Sequence, residues 1–247
     1  QSGNAAIAAV PVRLRPGVQA LLFQVLRQLG RAQALRKQLA PKAPPAKVDA
    51  LLCTALALAW DPAQAPYEPF TLVNQTVEAA KRAGLQRQTG FMNACLRRFL
   101  REREALVAAT DKDTLARFNH PQWWVDRVKQ DHPKDWQRIV AANNAQAPMS
   151  LRINKQKTTP AQYQKALAAM DIDSQLFGQD GVQLAQAQPV QVLPGFAEGV
   201  VSVQDGAAML AAPLLLQGLD MGQPLQVLDA CAAPGGKTAH LLEFAGA

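Results

Sequence analysis

The stretch Val227-Leu-Asp-Ala-Cys-Ala-Ala-Pro-Gly-Gly-Lys-Thr-Ala-His-Leu-Leu-Glu243 decides the fold class of the C-terminal part of this 247-residue chain. It predicts a buried strand over 225–229, a tight loop of small residues over 231–236 and a helix over 237–244. This order is typical of the first strand–loop–helix unit of a nucleotide-binding α/β sheet. In such a unit a ligand lies on backbone N–H groups at the helix N-terminus.

The composition of the loop indicates which ligand it could hold. A phosphate-binding P-loop requires G-x-x-x-x-G-K-[ST], and Gly236-Lys-Thr238 matches only its second half. Cys231 stands where the first glycine would be, and Pro234 removes an N–H from the arc around the phosphates. The pattern favours the glycine-rich first loop of an S-adenosylmethionine-dependent methyltransferase, although a plain strand-to-helix turn is a further alternative. Asp229 could face the ammonium group of a ligand or orient the loop.

Several upstream patches accompany this loop. They are Tyr67-Glu-Pro-Phe-Thr-Leu-Val-Asn74, Phe91-Met-Asn-Ala-Cys-Leu-Arg-Arg98, His120-Pro-Gln-Trp123, Ser150-Leu-Arg-Ile-Asn154 and Val203-Gln-Asp205. Together with the loop, the chain from about Val12 onward resembles the RNA 5-methylcytosine methyltransferases, in particular those that act on bacterial small-subunit ribosomal RNA. The loop is the specific part of the resemblance. The other patches are individually weak but occur in the order of the family.

The resemblance implies a fold in three parts. A helical, RNA-binding domain similar to NusB is expected over 1–145, a small α+β, RRM-like subdomain over 146–203, and the start of a Rossmann-like methyltransferase domain over 204–247. The residues implied to bind S-adenosylmethionine are Cys231, Ala232, Ala233, Pro234, Gly235, Gly236 and Lys237.

The resemblance also implies chemistry in which a cysteine thiolate adds to the cytosine ring, from Pro-Cys or Thr-Cys motifs that follow the loop. None of the three cysteines of this chain lies in such a motif, and Cys231 is interpreted as a non-catalytic residue of the loop. We therefore expect no catalytic residue in this chain and no activity of the chain alone. Segment 225–229 is expected to be frayed without the rest of its sheet.

The charge of the chain is unevenly distributed. Residues 1–140 hold 21 Lys and Arg against 11 Asp and Glu, whereas residues 141–247 hold 5 against 8. An excess of positive charge suits a polyanionic partner, which the resemblance specifies as ribosomal RNA, although a solvated basic face without a partner would have the same composition. No DNA partner is expected, and the chain is expected to be a monomer.

The first part of the chain has the periodicity of helices. A helix is predicted from Val18 to Leu29 with Gly30 as its stop, a buried helix over 48–60, a helix over 71–83 closed by Gly84, and further helices over 89–104, 121–128 and 136–142. On the outward arc of the helix over 89–104 lie the arginines predicted to contact RNA phosphates. These are Arg97, Arg98 and Arg101, which could instead pair only with neighbouring acidic residues.

Residues 148–203 show mixed signals. A strand is predicted over 150–154, a helix over 160–170, and further strands around Val182 and over 190–193. No aromatic RNP pattern is present, so base stacking on this sheet is not expected. Arg152 and Asn154 are candidates for RNA contact or, equally, for structural support of the domain junction. A helix over 204–218 is expected to kink or restart at Pro213.

Cysteine and hydropathy patterns limit the remaining possibilities. Cys53, Cys95 and Cys231 lack metal-ligand spacing, so neither a zinc site nor a disulfide framework is expected, and Cys53 and Cys95 are predicted to be inert core residues. No membrane segment is expected, and the predicted compartment is the cytoplasm. The alternative to an enzyme is a stand-alone NusB-like RNA-binding module.

Overall fold

The structure, a computed structural model, describes residues 3–246. The chain forms two compact units, residues 3–146 and residues 147–246. The elements of 147–203 and of 204–246 pack in one unit, and the boundary at 203 therefore stays a prediction. Within residues 3–246, no helix combines the length and the apolar character that a membrane span requires.

The first unit is a helical bundle, as the sequence predicted. Its helices are α1 (Gly3–Ala8), α2 (Arg15–Arg27), α3 (Leu29–Leu39), α4 (Ala46–Ala59), α5 (Pro69–Arg82), α6 (Thr89–Thr110), α7 (Thr114–Phe118), α8 (Gln122–Asp131) and α9 (Trp136–Asn144). Helix α4 lies at the centre, where Val48, Leu52 and Leu56 are fully buried. Cys53 and Cys95 are buried in the same core, and burial is the main cause that raises the pKa of both thiols.

The predicted stop at Gly30 is wrong, because Gly30 lies in the first turn of α3, after α2 has ended at Arg27. What requires glycine here is a close approach between helices. A Cβ on Gly30 would lie 2.1 Å from the carbonyl oxygen of Leu115 in α7. The amide of Gly30 donates a 2.8 Å hydrogen bond to Oδ1 of Asn119, which adopts a left-handed conformation at the end of α7. Glycine is therefore required for packing and not for chain termination.

Replacing Gly30 by alanine should destabilise the first unit by about 1–3 kcal/mol or more, because α3 and α7 must separate to admit the methyl group. Gly17→Ala is the matched control, since Gly17 also lies in a helix but a Cβ there meets no atom within 4 Å. All four tryptophans precede residue 147, so urea unfolding followed by tryptophan fluorescence reports on this unit. Equal unfolding midpoints for the two variants would contradict the packing argument.

The second unit begins with a four-stranded antiparallel sheet. Its elements are β1 (Met149–Ile153), α10 (Pro160–Ala168), β2 (Ser174–Phe177), β3 (Gly181–Leu184) and β4 (Val201–Val203), and the strand order is β2-β3-β1-β4. The predicted strand over 190–193 is wrong, since Val190–Val192 forms a 3-10 turn. Strands β2 and β4 were not predicted, because segments of three or four residues carry too little alternation to recognise.

The central strand β1 is buried on both faces. Leu151 and Ile153 lie in the core with Leu167 of α10. Successive side chains of a strand point to opposite faces, so Ser150 and Arg152 point away from that core. The side chain of Arg152 is therefore buried on the face of the sheet opposite the apolar core.

Three helices follow the sheet, namely α11 (Gly206–Met209), α12 (Ala211–Leu216) and α13 (Gly236–Ala245). The predicted restart is confirmed, but the break falls at Leu210, three residues before Pro213. Pro213 thus lies in the first turn of α12, where its missing N–H would have no helical partner in any case.

The predicted strand over 225–229 is wrong for this structure. The segment has no regular secondary structure and pairs with no strand among the described residues, and its Leu228 is 87% exposed. A strand depends on hydrogen bonds to a neighbour, so an apolar segment without one stays irregular. The lack of strand pairing agrees with the expectation that this segment frays.

Candidate functional site

The loop singled out by the sequence turns directly into α13. Gly235 is the N-cap of this helix and has a φ of +99°, a conformation that other residues rarely adopt. The predicted helix over 237–244 is confirmed, since α13 spans Gly236–Ala245. A Cβ added to Gly235 or Gly236 would meet no atom within 4 Å. The glycine pair therefore faces open space beside the N-terminus of a helix, where a ligand could approach the backbone closely.

Asp229 fixes both ends of the loop. Its Oδ1 accepts a 3.1 Å hydrogen bond from the amide of Cys231, and its Oδ2 accepts a 2.6 Å hydrogen bond from the hydroxyl of Thr238. The pKa of the Asp229 carboxyl is lowered, mainly by the hydrogen bond from the Thr238 hydroxyl and to a smaller extent by the one from the Cys231 amide. Of the two roles considered from the sequence, these contacts favour the one in which Asp229 orients the loop.

Arg152 holds the opposite side of the same turn. Its side chain is 0% exposed, and its Nη1 donates a 2.7 Å hydrogen bond to the carbonyl oxygen of Gly236. Its Nε and Nη2 donate to the two carboxylate oxygens of Glu243, at 3.1 and 2.8 Å. Two further hydrogen bonds join Arg152 to the side chains of Gln204 and Ser202. The sheet is thereby connected to both ends of α13.

Two residues of the Val203-Gln-Asp205 patch have structural roles around Arg152 and α11. The side-chain oxygen of Gln204 accepts from Arg152, and the backbone N–H of Gln204 donates a 3.1 Å hydrogen bond to the carbonyl oxygen of Ser150. Asp205 is the N-cap of α11 and accepts hydrogen bonds from the amides of Ala207 and Ala208. The patch thus connects the sheet, the buried arginine and the following helix.

Arg152 and Asn154 are both buried, and the first of them is fully engaged in the contacts given above. The amide nitrogen of Asn154 donates to the carbonyl oxygen of Gly199 at 3.2 Å, and its Oδ1 accepts from the amide of Gln156 at 3.0 Å. Burial favours the structural role that the sequence left open for these two residues. RNA contact by either stays an untested prediction that the buried positions do not support.

The three arginines of α6 differ in their partners. The side chain of Arg98 pairs with Glu102 at 3.0 Å, and that of Arg101 lies 4.0 Å from the same carboxylate. Arg97 donates instead to Oδ1 of Asn93 at 3.2 Å and has no carboxylate partner within the described residues. Arg97 is therefore the one of these three arginines whose charge is not offset by a carboxylate.

Sequence reasoning missed Glu243, His240 and Asp180 as parts of the site. Gly236, His240 and Glu243 are spaced i, i+4 and i+7 and so share one face of α13. Polar residues at this spacing, on the side of a helix that packs against a sheet, were the available signal. Arg152, the partner of Gly236 and Glu243, lies 84 residues before Gly236, and such a distant pairing is not visible in the sequence.

His240 is 3% exposed and lies 3.7 Å from Asp180, which follows β2. Burial of the imidazole, and then the charge of Arg152, lower the pKa of His240 from its ordinary value of 6.5, against the opposing effects of Asp180 and Glu243. The folded unit therefore favours the neutral imidazole.

Acidification should destabilise the second unit through His240. As the pH falls below about 6.5, the unfolded chain binds a proton that the folded unit accepts only at lower pH, so stability is lost in this range and retained above it. We expect protection factors of the α13 amides in hydrogen exchange to fall between about pH 7.5 and about pH 5.5. His240→Gln should reduce this dependence, whereas the exposed His132→Gln should keep it. An unchanged pH dependence in His240→Gln would refute the assignment.

Comparison with known proteins matches a helical unit followed by a unit with a four-stranded sheet. The NusB family model matches residues 2–101, and the model described as Methyltr_RsmF/B-like, ferredoxin-like domain matches residues 120–191. The crystal structure of PH0851 shares the fold, with a TM-score of 0.67 at 17% identity over 96% of this chain and 54% of that chain. The fold is thus a NusB-like helical domain followed by a ferredoxin-like domain with a four-stranded sheet.

Two relatives carry the comparison further. The ribosomal RNA small subunit methyltransferase B of Pseudomonas syringae pv. tomato is 40% identical over 239 residues, which cover 95% of this chain and 52% of that protein. That of Vibrio cholerae serotype O1 is 38% identical over 244 residues, covering 96% and 55%. The chain is thus homologous to proteins named ribosomal RNA small subunit methyltransferase B, and it spans about half the length of the curated relatives it matches.

Proposed function

We propose that this chain is part of an enzyme that transfers a methyl group from S-adenosylmethionine to carbon 5 of a cytosine in small-subunit ribosomal RNA. The observation that carries the proposal is the glycine loop before α13, which Asp229 and Arg152 fix and whose glycine pair faces open space. The names of the relatives support a ribosomal RNA methyltransferase, and the cytosine and the methyl donor come from the sequence resemblance.

The loop residues suit the methyl donor that we propose. The segment Cys231–Lys237 would hold it, because small side chains allow its adenosine and amino-acid parts to approach the backbone and the first amides of α13. The cofactor would supply an electrophilic methyl group bound to a sulfonium sulfur. The residues of this chain would bind and orient it without taking part in the transfer.

Carbon 5 of cytosine is a poor nucleophile, so the proposed reaction needs covalent activation. A cysteine thiolate adds to carbon 6, and the enamine that forms takes the methyl group at carbon 5. A base then removes the proton from carbon 5, and the thiolate leaves from carbon 6. The chain has no Pro-Cys or Thr-Cys motif, and Cys231 is an exposed residue of the loop, so we propose that this chain does not carry the reactive thiols.

The test is a methyl-transfer assay with labelled S-adenosylmethionine and small-subunit RNA. A longer protein that contains this chain and has the full length of the curated relatives should incorporate label at cytosine carbon 5, whereas the 247-residue chain should incorporate none. In the longer protein, Gly236→Val should reduce turnover at limiting cofactor by at least about tenfold, because the side chain would enter the open space beside the loop.

Ala245→Val is the matched control, since it adds the same β-branched side chain at an exposed position of the same helix. It should retain the turnover of the wild-type protein. Label at a base other than cytosine, or none from the longer protein, would overturn the proposed activity, and transfer by the 247-residue chain would overturn its proposed inactivity. Equal turnover of the two valine variants would overturn the assigned cofactor loop.

RNA contact by the helical unit is a further part of the proposal. Residues 1–140 have an excess of ten positive charges, and Arg97 has no carboxylate partner among residues 3–246. Arg97→Gln should weaken binding to small-subunit RNA by roughly 3- to 10-fold and reduce the salt dependence by about one phosphate contact. Arg98→Gln removes the same charge from the same helix but from an existing ion pair, so its effect should be smaller. Filter binding at several salt concentrations measures both, and equal losses would refute a particular role of Arg97.

The alternative is a stand-alone RNA-binding module, which the basic, compact helical unit favours. RNA affinity that survives deletion of 204–247 and does not respond to S-adenosylmethionine would support it. An RNA affinity that rises with the cofactor would support the enzyme.

A further inference from the structure

The guanidinium of Arg152 is buried with a full set of partners. Its five N–H groups match five acceptor contacts, namely two to Glu243 and one each to Gln204, Ser202 and Gly236. An unpaired charge at a site with a side-chain exposure of 0% would be very costly, and this set of contacts removes that cost. The position is therefore specific for arginine, because the ammonium of lysine has three donors and no planar fork.

The contacts of Arg152 on α13 come from opposite ends of the helix. Gly236 is the first residue of α13, and Glu243 lies seven positions later on the same face. A helical carbonyl points toward the C-terminus and a side chain leans toward the N-terminus, so the two groups converge on one guanidinium between them. A single side chain of the sheet thus sets where α13 lies along its own axis.

The position of α13 also sets the position of the loop. The carbonyl of Gly236 directly follows the left-handed Gly235, so fixing it fixes the exit of the turn. Asp229 fixes the entrance and the first helical turn through Cys231 and Thr238. Asp229, however, lies in a segment that pairs with no strand among the described residues. Arg152, in the central strand of a sheet, is the rigid member of the two.

We propose that Arg152 is a positioning residue for the cofactor loop, which it holds in its ligand-ready geometry through the carbonyl of Gly236. This rests on the proposed function insofar as the ligand is S-adenosylmethionine. It assigns to the ferredoxin-like domain a direct part in cofactor binding, since β1 supplies the group that orders the turn. It also assigns Arg152 a role other than the RNA contact predicted from the sequence.

A purely structural role would give a different result. If Arg152 only stabilised the fold, its replacement would lower the unfolding temperature but leave the loop and its affinity unchanged in molecules that stay folded. If it positions the loop, the folded variant has a looser turn. The two roles therefore separate when loop order and ligand affinity are measured well below the unfolding temperature.

The test compares Arg152→Lys with Ser202→Ala in the 247-residue chain. Lysine keeps the charge, but one ammonium cannot hold Gly236 and both oxygens of Glu243 together. Ser202→Ala removes one contact of the same guanidinium, at 3.4 Å, and leaves those to α13 in place. The readouts are hydrogen exchange of the amides over 231–240 and calorimetric titration with S-adenosylhomocysteine.

We expect Arg152→Lys to exchange the amides over 231–240 about tenfold faster, while those of β1 and β3 keep wild-type protection. Its affinity for S-adenosylhomocysteine should fall by about tenfold, and Ser202→Ala, which keeps the contacts of Arg152 to α13, should show clearly smaller changes in both readouts. Loop exchange within about twofold of the wild type, in a variant whose sheet remains protected, would overturn the proposal. If Arg152→Lys also loses protection in β1, Glu243→Gln replaces it, and the same loop-specific increase is expected because the glutamine amide offers one acceptor in place of two.

The two readouts separate this proposal from the proposed function. Faster loop exchange in Arg152→Lys, without ligand binding by the wild-type chain, would support the positioning role and count against S-adenosylmethionine as the ligand of this loop. Equal affinity of the wild type and Arg152→Lys would support the cofactor site and overturn the positioning role.

Discussion

The burial of one positive charge organises the second unit. Arg152 points away from the apolar core of the sheet, and its guanidinium is sealed from solvent, so its charge must be met by groups of the same unit. Glu243 supplies the compensating charge, and Gln204, Ser202 and the carbonyl of Gly236 supply the remaining acceptors. Because these groups come from β4, from the segment after it and from both ends of α13, satisfying one side chain fixes several elements together. The contacts of Arg152 therefore also set the position of the glycine loop.

The helical unit depends on a constraint of another kind. Helices α3 and α7 approach so closely that the backbone of Gly30 lies against the carbonyl of Leu115, and no side chain fits between them. The left-handed Asn119 bonds the amide of Gly30 and also donates to the carbonyl of Leu26, at 3.0 Å. The bundle is thus joined by one side chain at the meeting point of α2, α3 and α7. Steric fit thus constrains the packing of the first unit, whereas the compensation of a buried charge constrains the second.

Apolar residues are exposed around the loop. Leu225 and Val227 line a cleft of 370 Å³ that lies along α13, and Leu228 is 87% exposed. Apolar side chains clustered in this way are typical of a surface that binds another apolar surface. The loop itself is nevertheless ordered, because its anchors, Asp229 and Arg152, lie within the described part of the chain.

Much of the fold was determined by local sequence. The helical periodicity, the left-handed Gly84 that closes α5, and the small residues before α13 each act over a few neighbouring positions, and the structure confirms them. The resemblance to the methyltransferase family likewise followed from contiguous motifs and is confirmed by the relatives. Only the tertiary structure decided why Gly30 is glycine and that Arg152 is an internal anchor of the loop. Each of these depends on groups far apart in the chain, whose approach is set by packing and by the cost of an unpaired buried charge, and neither quantity is visible in a local pattern.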